Sequence, residues 1–306
     1  MYLVTGGAGF IGSHLVEELL RRGHAVRVVD NLATGFRRNV PSGAQFFEGD
    51  LTDPQTAVAA VQGCDVVLHQ AAIPSVPRSV SDPRPSHEAN IDATFNILMA
   101  AREANVRRLV YAASSSAYGD TLTLPKVEDM PASPLSPYAL QKHVGESYCR
   151  LFTQLYGLET VSIRYFNVFG PRQHPSSPYS GVLSLFIRAA LEGKPPTIYG
   201  DGEQTRDFTY IENVVDGVLR AVDAPAAAGE VINVASGGRI SLNAAWSALE
   251  SILGPLPSPV YGPPRPGDVR DSQADISKAE RLLGYRPFVS FEEGLRQTVA
   301  WAKGTL

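Results

Sequence analysis

"MYLVTGGAGFIGSHLVEELLRRG" (residues 1–23) begins with a short apolar run, passes through spaced glycines and then repeats apolar residues at Leu15, Val16, Leu19 and Leu20. That pattern predicts a buried strand from Tyr2, a tight turn, and an amphipathic helix that Gly23 ends. The run "AVRVVD" that follows is a second buried strand, closed by Asp30. Gly6, Gly9 and Gly12 fall between strand and helix, where missing side chains let a pyrophosphate approach the amides of a helix N-terminus. The spacing alone also suits a purely structural turn. Inside a strand–helix–strand unit, with Asp30 placed to accept both ribose hydroxyls, it reads as a dinucleotide site. A carboxylate there repels the 2′-phosphate of NADP, so NAD is the expected cofactor, although Arg37 and Arg38 are near enough to serve such a phosphate.

Further along, "FFEGDL" supplies a third strand expected to end in Asp50 and Leu51, and "DVVLHQAA" a fourth ending near Ala71 and Ala72. Such strand ends line the cofactor crevice of an open parallel sheet. A helix over about residues 88–104 leads to the strand "RRLVYAASS", and a helix through Tyr138 leads to "ETVSIRYFN". Six or seven parallel strands are implied. The fold class is therefore α/β, a doubly wound parallel (Rossmann) sheet with a smaller α/β substrate-binding domain. From Phe166 onward prolines punctuate the chain, at Pro171, Pro175, Pro178, Pro195 and Pro196 and again across residues 255–266. Residues 1–165 are assigned to the NAD-binding domain, with 210–236 returning to it, and 166–209 plus 237–306 to the smaller, substrate-binding domain.

At 306 residues and 44% hydrophobic, the chain is long enough to bury a large core. A net charge of −4 with no block of lysines or arginines argues against a nucleic-acid surface. No apolar run reaches membrane-spanning length, and a first strand at Tyr2 leaves no room for a signal peptide, so a cytoplasmic protein is expected. Cys64 and Cys149 lack metal-ligand spacing and read as buried thiols of a reducing compartment; no metal is expected.

The stretch "SPYALQKHVGE" (136–146) places a phenol and an ammonium together. Ser136 caps a helix, Pro137 fits its first position, and Tyr138 and Lys142, four apart, share a face about 6 Å apart along the axis. A bare YxxxK pattern usually means a core tyrosine beside a solvated lysine. Here it stands among "TGGAGFIGSH", "HQAA", "SSSAYG", "RYFNVFGPRQ", "YGDGEQTRDFTYIENVV" and "RPGDVRDSQADISKAERLLGY". In that order and spacing, over nearly the whole length, the chain resembles the extended short-chain dehydrogenase/reductases that act on nucleotide sugars, most closely the UDP-hexose 4-epimerases.

The resemblance implies that Tyr138 accepts the proton of a sugar hydroxyl, that Lys142 binds the nicotinamide ribose and lowers the tyrosine's pKa, and that Ser114 hydrogen-bonds the reacting oxygen. Bringing a phenol from about 10 to near 7 takes about 4 kcal/mol. The implied cofactor pocket comprises Gly6, Gly9, Phe10, Ile11, Gly12, Asp30, Asn31, Asp50, Leu51, Ala71, Ala72, Asn90 and Tyr165 along with Tyr138 and Lys142. On the substrate side, Asn167 and Arg206 contact a pyrophosphate, Arg265 is a second cationic clamp, and Asp268 lies near a ribose hydroxyl. Thr197 and Tyr199 of "TIYG" run beside the base. Ser115 and Ser116 are sugar contacts or merely polar strand-end residues. No acid stands at either place, and elimination of water needs a general acid and base, so dehydration falls below epimerisation. His174 departs from the acidic residue expected after "GPRQ".

In the resembling epimerases the residue at Ser272 flanks the sugar's 2-substituent, and a small side chain leaves room for an N-acetyl group; a loop serine of no consequence is the alternative. The expected activity is NAD-dependent 4-epimerisation of UDP-glucose and UDP-galactose, with the N-acetylhexosamine pair, through a transient 4-keto sugar. A UDP-glucuronate 4-epimerase or a dTDP-sugar epimerase or reductase shares the Ser-Ser loop. A non-catalytic NAD-binding protein is expected to lose the Tyr/Lys pair or the arginines, and this chain keeps both. The resemblance also implies a homodimer, formed through helices at 92–103 and 139–149.

Overall fold

The protein is described by a computed structural model over residues 1–173, 181–264 and 269–305. Its strands are β1 (Tyr2–Thr5), β2 (Val26–Asp30), β3 (Gln45–Glu48), β4 (Val66–His69), β5 (Arg108–Ser114), β6 (Glu159–Tyr165), β7 (Val168–Phe169), β8 (Thr197–Tyr199), β9 (Thr205–Arg206), β10 (Thr209–Tyr210), β11 (Val231–Val234), β12 (Ile240–Ser241) and β13 (Val260–Gly262). Its helices are α1 (Phe10–Arg21), α2 (Pro54–Val61), α3 (Val76–Ser81), α4 (Pro83–His87), α5 (Ala93–Glu103), α6 (Pro137–Tyr156), α7 (Val182–Leu191), α8 (Ile211–Asp223), α9 (Leu242–Leu253), α10 (Ser277–Leu283) and α11 (Phe291–Lys303).

Seven strands form one parallel sheet in the order β11-β6-β5-β4-β1-β2-β3. The inner strands β4 and β5 are almost wholly buried because helices cover both faces, whereas the edge strand β3 is mostly exposed. Alternate side chains go to opposite sides: Val4, Val28 and Leu68 pack with Leu15 of α1 and Val218 of α8, whereas Leu3, Val29 and Val67 pack with Ala57 of α2, Ile97 of α5 and Phe152 of α6. The order reverses direction between β1 and β4, which opens a crevice at their C-terminal ends. The segment 210–236 returns to the sheet, since β11 pairs with β6 from Val231 opposite Ser162 to Val234 opposite Tyr165. Three two-stranded sheets, β10-β7, β12-β9 and β13-β8, lie outside it.

Three boundaries differ from the sequence reading. β3 stops at Glu48, short of Asp50 and Leu51, because its neighbour β2 ends at Asp30 opposite it. β4 stops at His69 opposite Thr5, which leaves Ala71 and Ala72 on the loop beyond. The helix expected over 88–104 starts earlier, as α4, and passes through a π-helical turn at Glu88–Asp92 before α5. No helix among the described residues is long and apolar enough to cross a membrane.

Candidate active site

The glycine turn has the shape of a dinucleotide cradle. Gly6 has a φ of +66°, and a Cβ there would lie 2.7 Å from the Ala71 amide nitrogen; a Cβ on Gly12 would lie 2.2 Å from the Gly6 carbonyl oxygen. Any larger residue would push α1 away from β1. Gly9 is the N-cap of α1 and brings no side chain to its first amides, the arrangement that leaves a helix N-terminus open to phosphate. Phe10 and Ile11 form the first turn. Asp30 fixes the turn from the side: its Oδ2 accepts the Ala8 amide at 2.9 Å and its Oδ1 the Leu32 amide at 2.8 Å. Partial burial raises its pKa against those two bonds. Each carboxylate oxygen keeps a further lone pair for a ribose hydroxyl. Arg37 is turned onto the Phe46 ring and Arg38 onto Phe36, at 4.5 and 4.3 Å. Asn31 and Asp50 are exposed and joined at 2.8 Å beside this rim, and Leu51 is buried beneath it. These features fit NAD.

At the other end of the crevice, Ser114, Ser116 and Tyr138 form one hydroxyl cluster. The Ser114 oxygen accepts the Ser116 amide at 3.2 Å and the Ser116 hydroxyl at 2.8 Å. Its own proton is thereby left free, and Tyr138 stands close enough for Ser114 to act on its phenol. Burial raises the Tyr138 phenol above its ordinary range, and Ser114 opposes that rise. Lys142, expected to depress it, does not do so in this geometry. Lys142 instead donates to the Ala112 carbonyl at 2.9 Å, and its ammonium stands 5.1 Å from the Tyr111 ring. Burial brings it down to about 8, against the upward pull of Cys149 and Glu146. Glu146, one turn on, is held as a carboxylate by a two-pronged pair with Arg164, both bonds 2.8 Å. Ser115 is half-buried beside the cluster.

Two cofactor assignments change character. Asn90 is fully buried, and its amide is committed to Ile73, Gln141 and Ser86. It therefore shapes the loop after Ala71 and Ala72 and presents nothing to a ligand. Tyr165 donates to Gln70 Oε1 at 2.9 Å, behind those alanines.

The residues expected on the substrate side come from several separate segments. Asn167 is exposed and lines a hollow with Phe169, Gln173, Leu183 and Phe208. Thr197 is exposed and Tyr199 half-buried on β8. Arg206 Nη1 donates to the carbonyls of Thr205 at 2.9 Å and Arg270 at 3.0 Å. Ser272 is 9% exposed, and its amide donates to the Thr205 carbonyl at 3.1 Å, next to Arg206. Arg265, Asp268 and His174 lie outside the described residues.

Sequence reasoning missed several residues that hold this arrangement. Asp207, buried after Arg206, accepts the amides of Ser236, Gly237 and Ala274 at 2.9, 3.0 and 3.1 Å, and so ties the Ser272 segment to the end of β11. His69, Thr5, Thr94 and Gln141, the last two linked through Asn90, form a buried chain between the glycine turn and α6. The one available signal was polar residues closing otherwise apolar strands.

The family model for the NAD dependent epimerase/dehydratase family matches residues 2–235. A UDP-glucose 4-epimerase of Mycolicibacterium smegmatis is 40% identical over 97% of this chain and 96% of its own length. The UDP-glucose 4-epimerase of Thermotoga maritima, solved with UDP-glucose, superposes with a TM-score of 0.96 at 38% identity, covering 99% of both chains. A UDP-N-acetylglucosamine 4-epimerase from Methanobrevibacter ruminantium, solved with UDP-N-acetylmuramic acid, gives 0.95 at 37% identity over 100% of this chain and 98% of its own. Cradle, hydroxyl cluster and full-length similarity agree: the chain belongs to the NAD dependent epimerase/dehydratase family and is an NAD-dependent enzyme of the isomerase class.

Proposed function

We propose that the protein interconverts the C4 epimers of UDP-hexoses, UDP-glucose with UDP-galactose, and that it also accepts the N-acetylhexosamine pair. The observation that carries this reading is that Tyr138 and Lys142 stand one turn apart on α6, with Ser114 opposing the rise that burial imposes on the phenol. Ser114 has its proton free to turn to the phenol oxygen, and so to stabilise that oxygen as negative charge develops. Tyr138 takes the proton of the sugar 4-hydroxyl and later returns it. Lys142, swung from the Ala112 carbonyl, adds a positive charge below the phenol, which opposes the effect of burial. NAD, when bound, supplies reversible hydride transfer at C4, so the overall reaction has no net redox change.

Asn167, Arg206, Thr197 and Tyr199, with Arg265 and Asp268, hold the nucleoside diphosphate. That anchor leaves the hexose loosely held, so either face of the intermediate can be presented. Ser272 beside Arg206 supports the wider range, as does similarity to a UDP-N-acetylglucosamine 4-epimerase. We further propose that the protein works as a homodimer.

The test is incubation of the purified protein with UDP-glucose, UDP-N-acetylglucosamine, UDP-glucuronate and dTDP-glucose, without added NAD, followed by separation of epimers. Both UDP-hexose pairs are expected to turn over, and Ser272→Tyr to abolish the N-acetyl activity selectively. Turnover of UDP-glucuronate or dTDP-glucose alone would replace this reading with one of its rivals. Loss of both activities together in the tyrosine variant would remove Ser272 as the gate.

A further inference from the structure

We infer that His69 is a positioning residue: held as its neutral Nε2–H tautomer, it couples the glycine turn to the helix that carries Tyr138 and Lys142. The inference rests on the active site proposed above and extends it to groups that touch neither ligand.

The tautomer follows from counting protons. Thr5 ends β1 and directly precedes Gly6. Its hydroxyl oxygen accepts the amides of Gln70 and Ala71, both at 3.1 Å. With both lone pairs engaged, its single proton is directed to His69 Nδ1, 2.7 Å away. Nδ1 is therefore an acceptor and the ring proton sits on Nε2, which donates to the Thr94 hydroxyl at 3.0 Å. Thr94 in turn donates to the Asn90 carbonyl at 2.8 Å. The Asn90 side chain holds both backbone groups of Ile73 and donates to Gln141 Oε1 at 2.9 Å. Gln141 immediately precedes Lys142. Every hydrogen in the series has one direction, and the series is buried from end to end.

Position makes the relay consequential. The Ala71 nitrogen lies so close to Gly6 that a Cβ there would fall 2.7 Å from it, so a displaced Ala71 loop reaches the cradle directly. On its other side, the His69 ring stacks on Tyr111 at 5.8 Å, and the Tyr111 ring faces the Lys142 ammonium. A neutral ring fits there; a protonated one would turn an N–H toward a Thr5 oxygen whose lone pairs are taken and place a second cation beneath Lys142.

A residue that only fills space would be replaceable by leucine, whereas a relay needs an acceptor and a donor on one planar group, which glutamine supplies. The experiment compares His69→Leu, His69→Gln and Thr5→Val. It reads NAD released per chain on denaturation, then kcat and KM for the UDP-sugar with NAD in excess. His69→Leu and Thr5→Val are expected to lose about tenfold in NAD retention, the scale of one buried unsatisfied hydrogen bond. In both, kcat should fall with KM unchanged, while His69→Gln stays within about threefold of the wild type. Wild-type NAD content in Thr5→Val, or a glutamine variant as poor as the leucine variant, overturns the inference. Should His69→Leu fail to fold, the other two variants decide by the same readout. Failure of the underlying site reading shows elsewhere, as undiminished turnover in Tyr138→Phe, and leaves the NAD measurements standing.

Discussion

Burial acts in one direction on two bases beneath the crevice, taking His69 down to about 3 and Lys142 down to about 8. For His69 the cause is desolvation first and the Lys142 cation second. An exposed histidine titrates near 6.5, so between about pH 6.5 and 3 the unfolded chain binds a proton that the folded chain refuses. Stability from this group is complete above pH 6.5 and is lost as the pH falls. From pH 7 to pH 5 the loss is about 2 kcal/mol. His14, taken down to about 4, adds a loss of the same sign. Denaturant unfolding at the two pH values is therefore expected to show His69→Gln losing about 2 kcal/mol less on acidification than the wild type. Equal losses in the two proteins would mean that His69 does not titrate on unfolding. Tyr138 and Lys142 are legible in the sequence because helix geometry fixes their relation locally. His69 is not, because its partners Thr5 and Thr94 are 64 and 25 residues away and only the sheet brings them together.

Helix α6 shows which signals survive from sequence to structure. Ser136 caps it by accepting the Ala139 amide at 3.2 Å, Pro137 opens it, and Gly157 closes it in the left-handed region at φ 72°. All three are local rules. What seats the helix on β5 is not local: the Tyr138 amide donates to Ser79 Oγ of α3 at 3.1 Å, and Gly145 lies against Tyr111. A Cβ on Gly145 would fall 2.2 Å from the Tyr111 hydroxyl oxygen, and that tyrosine is fully buried. Alanine would gain about 1 kcal/mol in helix propensity. Overpacking a site that cannot yield costs about 1–3 kcal/mol, and the buried ring makes the upper part of that range the relevant one. Gly145→Ala is thus expected to lower stability by about 1–2 kcal/mol net in urea unfolding, and to slow turnover by moving Lys142, one turn away. A variant as stable as the wild type would mean that α6 slides on β5 at no cost. The early end of β3 and the π-helical turn before α5 escaped the sequence reading for a related reason. The first is set by where β2 stops, and the second carries no compositional mark of its own.

Across the whole molecule, one apolar cluster joins Val4, Val28 and Leu68 of the sheet to Phe186 of α7, Trp246 of α9 and Leu295 of α11. The two parts of the proposed division, drawn where prolines thicken, thus share one core. The composition shift after Phe166 marks where loops and short two-stranded sheets take over from the main sheet. The outer side of α6 is different, because several apolar residues there are left exposed. Leu140, Val144, Tyr148, Leu151 and Leu155 follow one another at steps of four, four, three and four, which keeps them on one stripe about 22 Å long. Leu140 is 50% exposed and Leu155 67%. Phe95 of α5 extends the patch, with its ring 5.4 Å from Tyr148 and 6.2 Å from Phe152. An exposed apolar stripe of that length is the feature on which the proposed dimer rests, since a second copy of the same helix pair offers a matching stripe. Two glutamates on the stripe would face their own symmetry mates in such a dimer, adding repulsion to the loss of apolar contact. Sedimentation equilibrium at micromolar concentration is therefore expected to show a dimer for the wild type and a monomer for the Leu151→Glu, Leu155→Glu double variant. NAD content should be unchanged, since neither leucine touches the crevice or the relay. A wild-type monomer, or a double variant that stays dimeric, would place any association face elsewhere on the molecule.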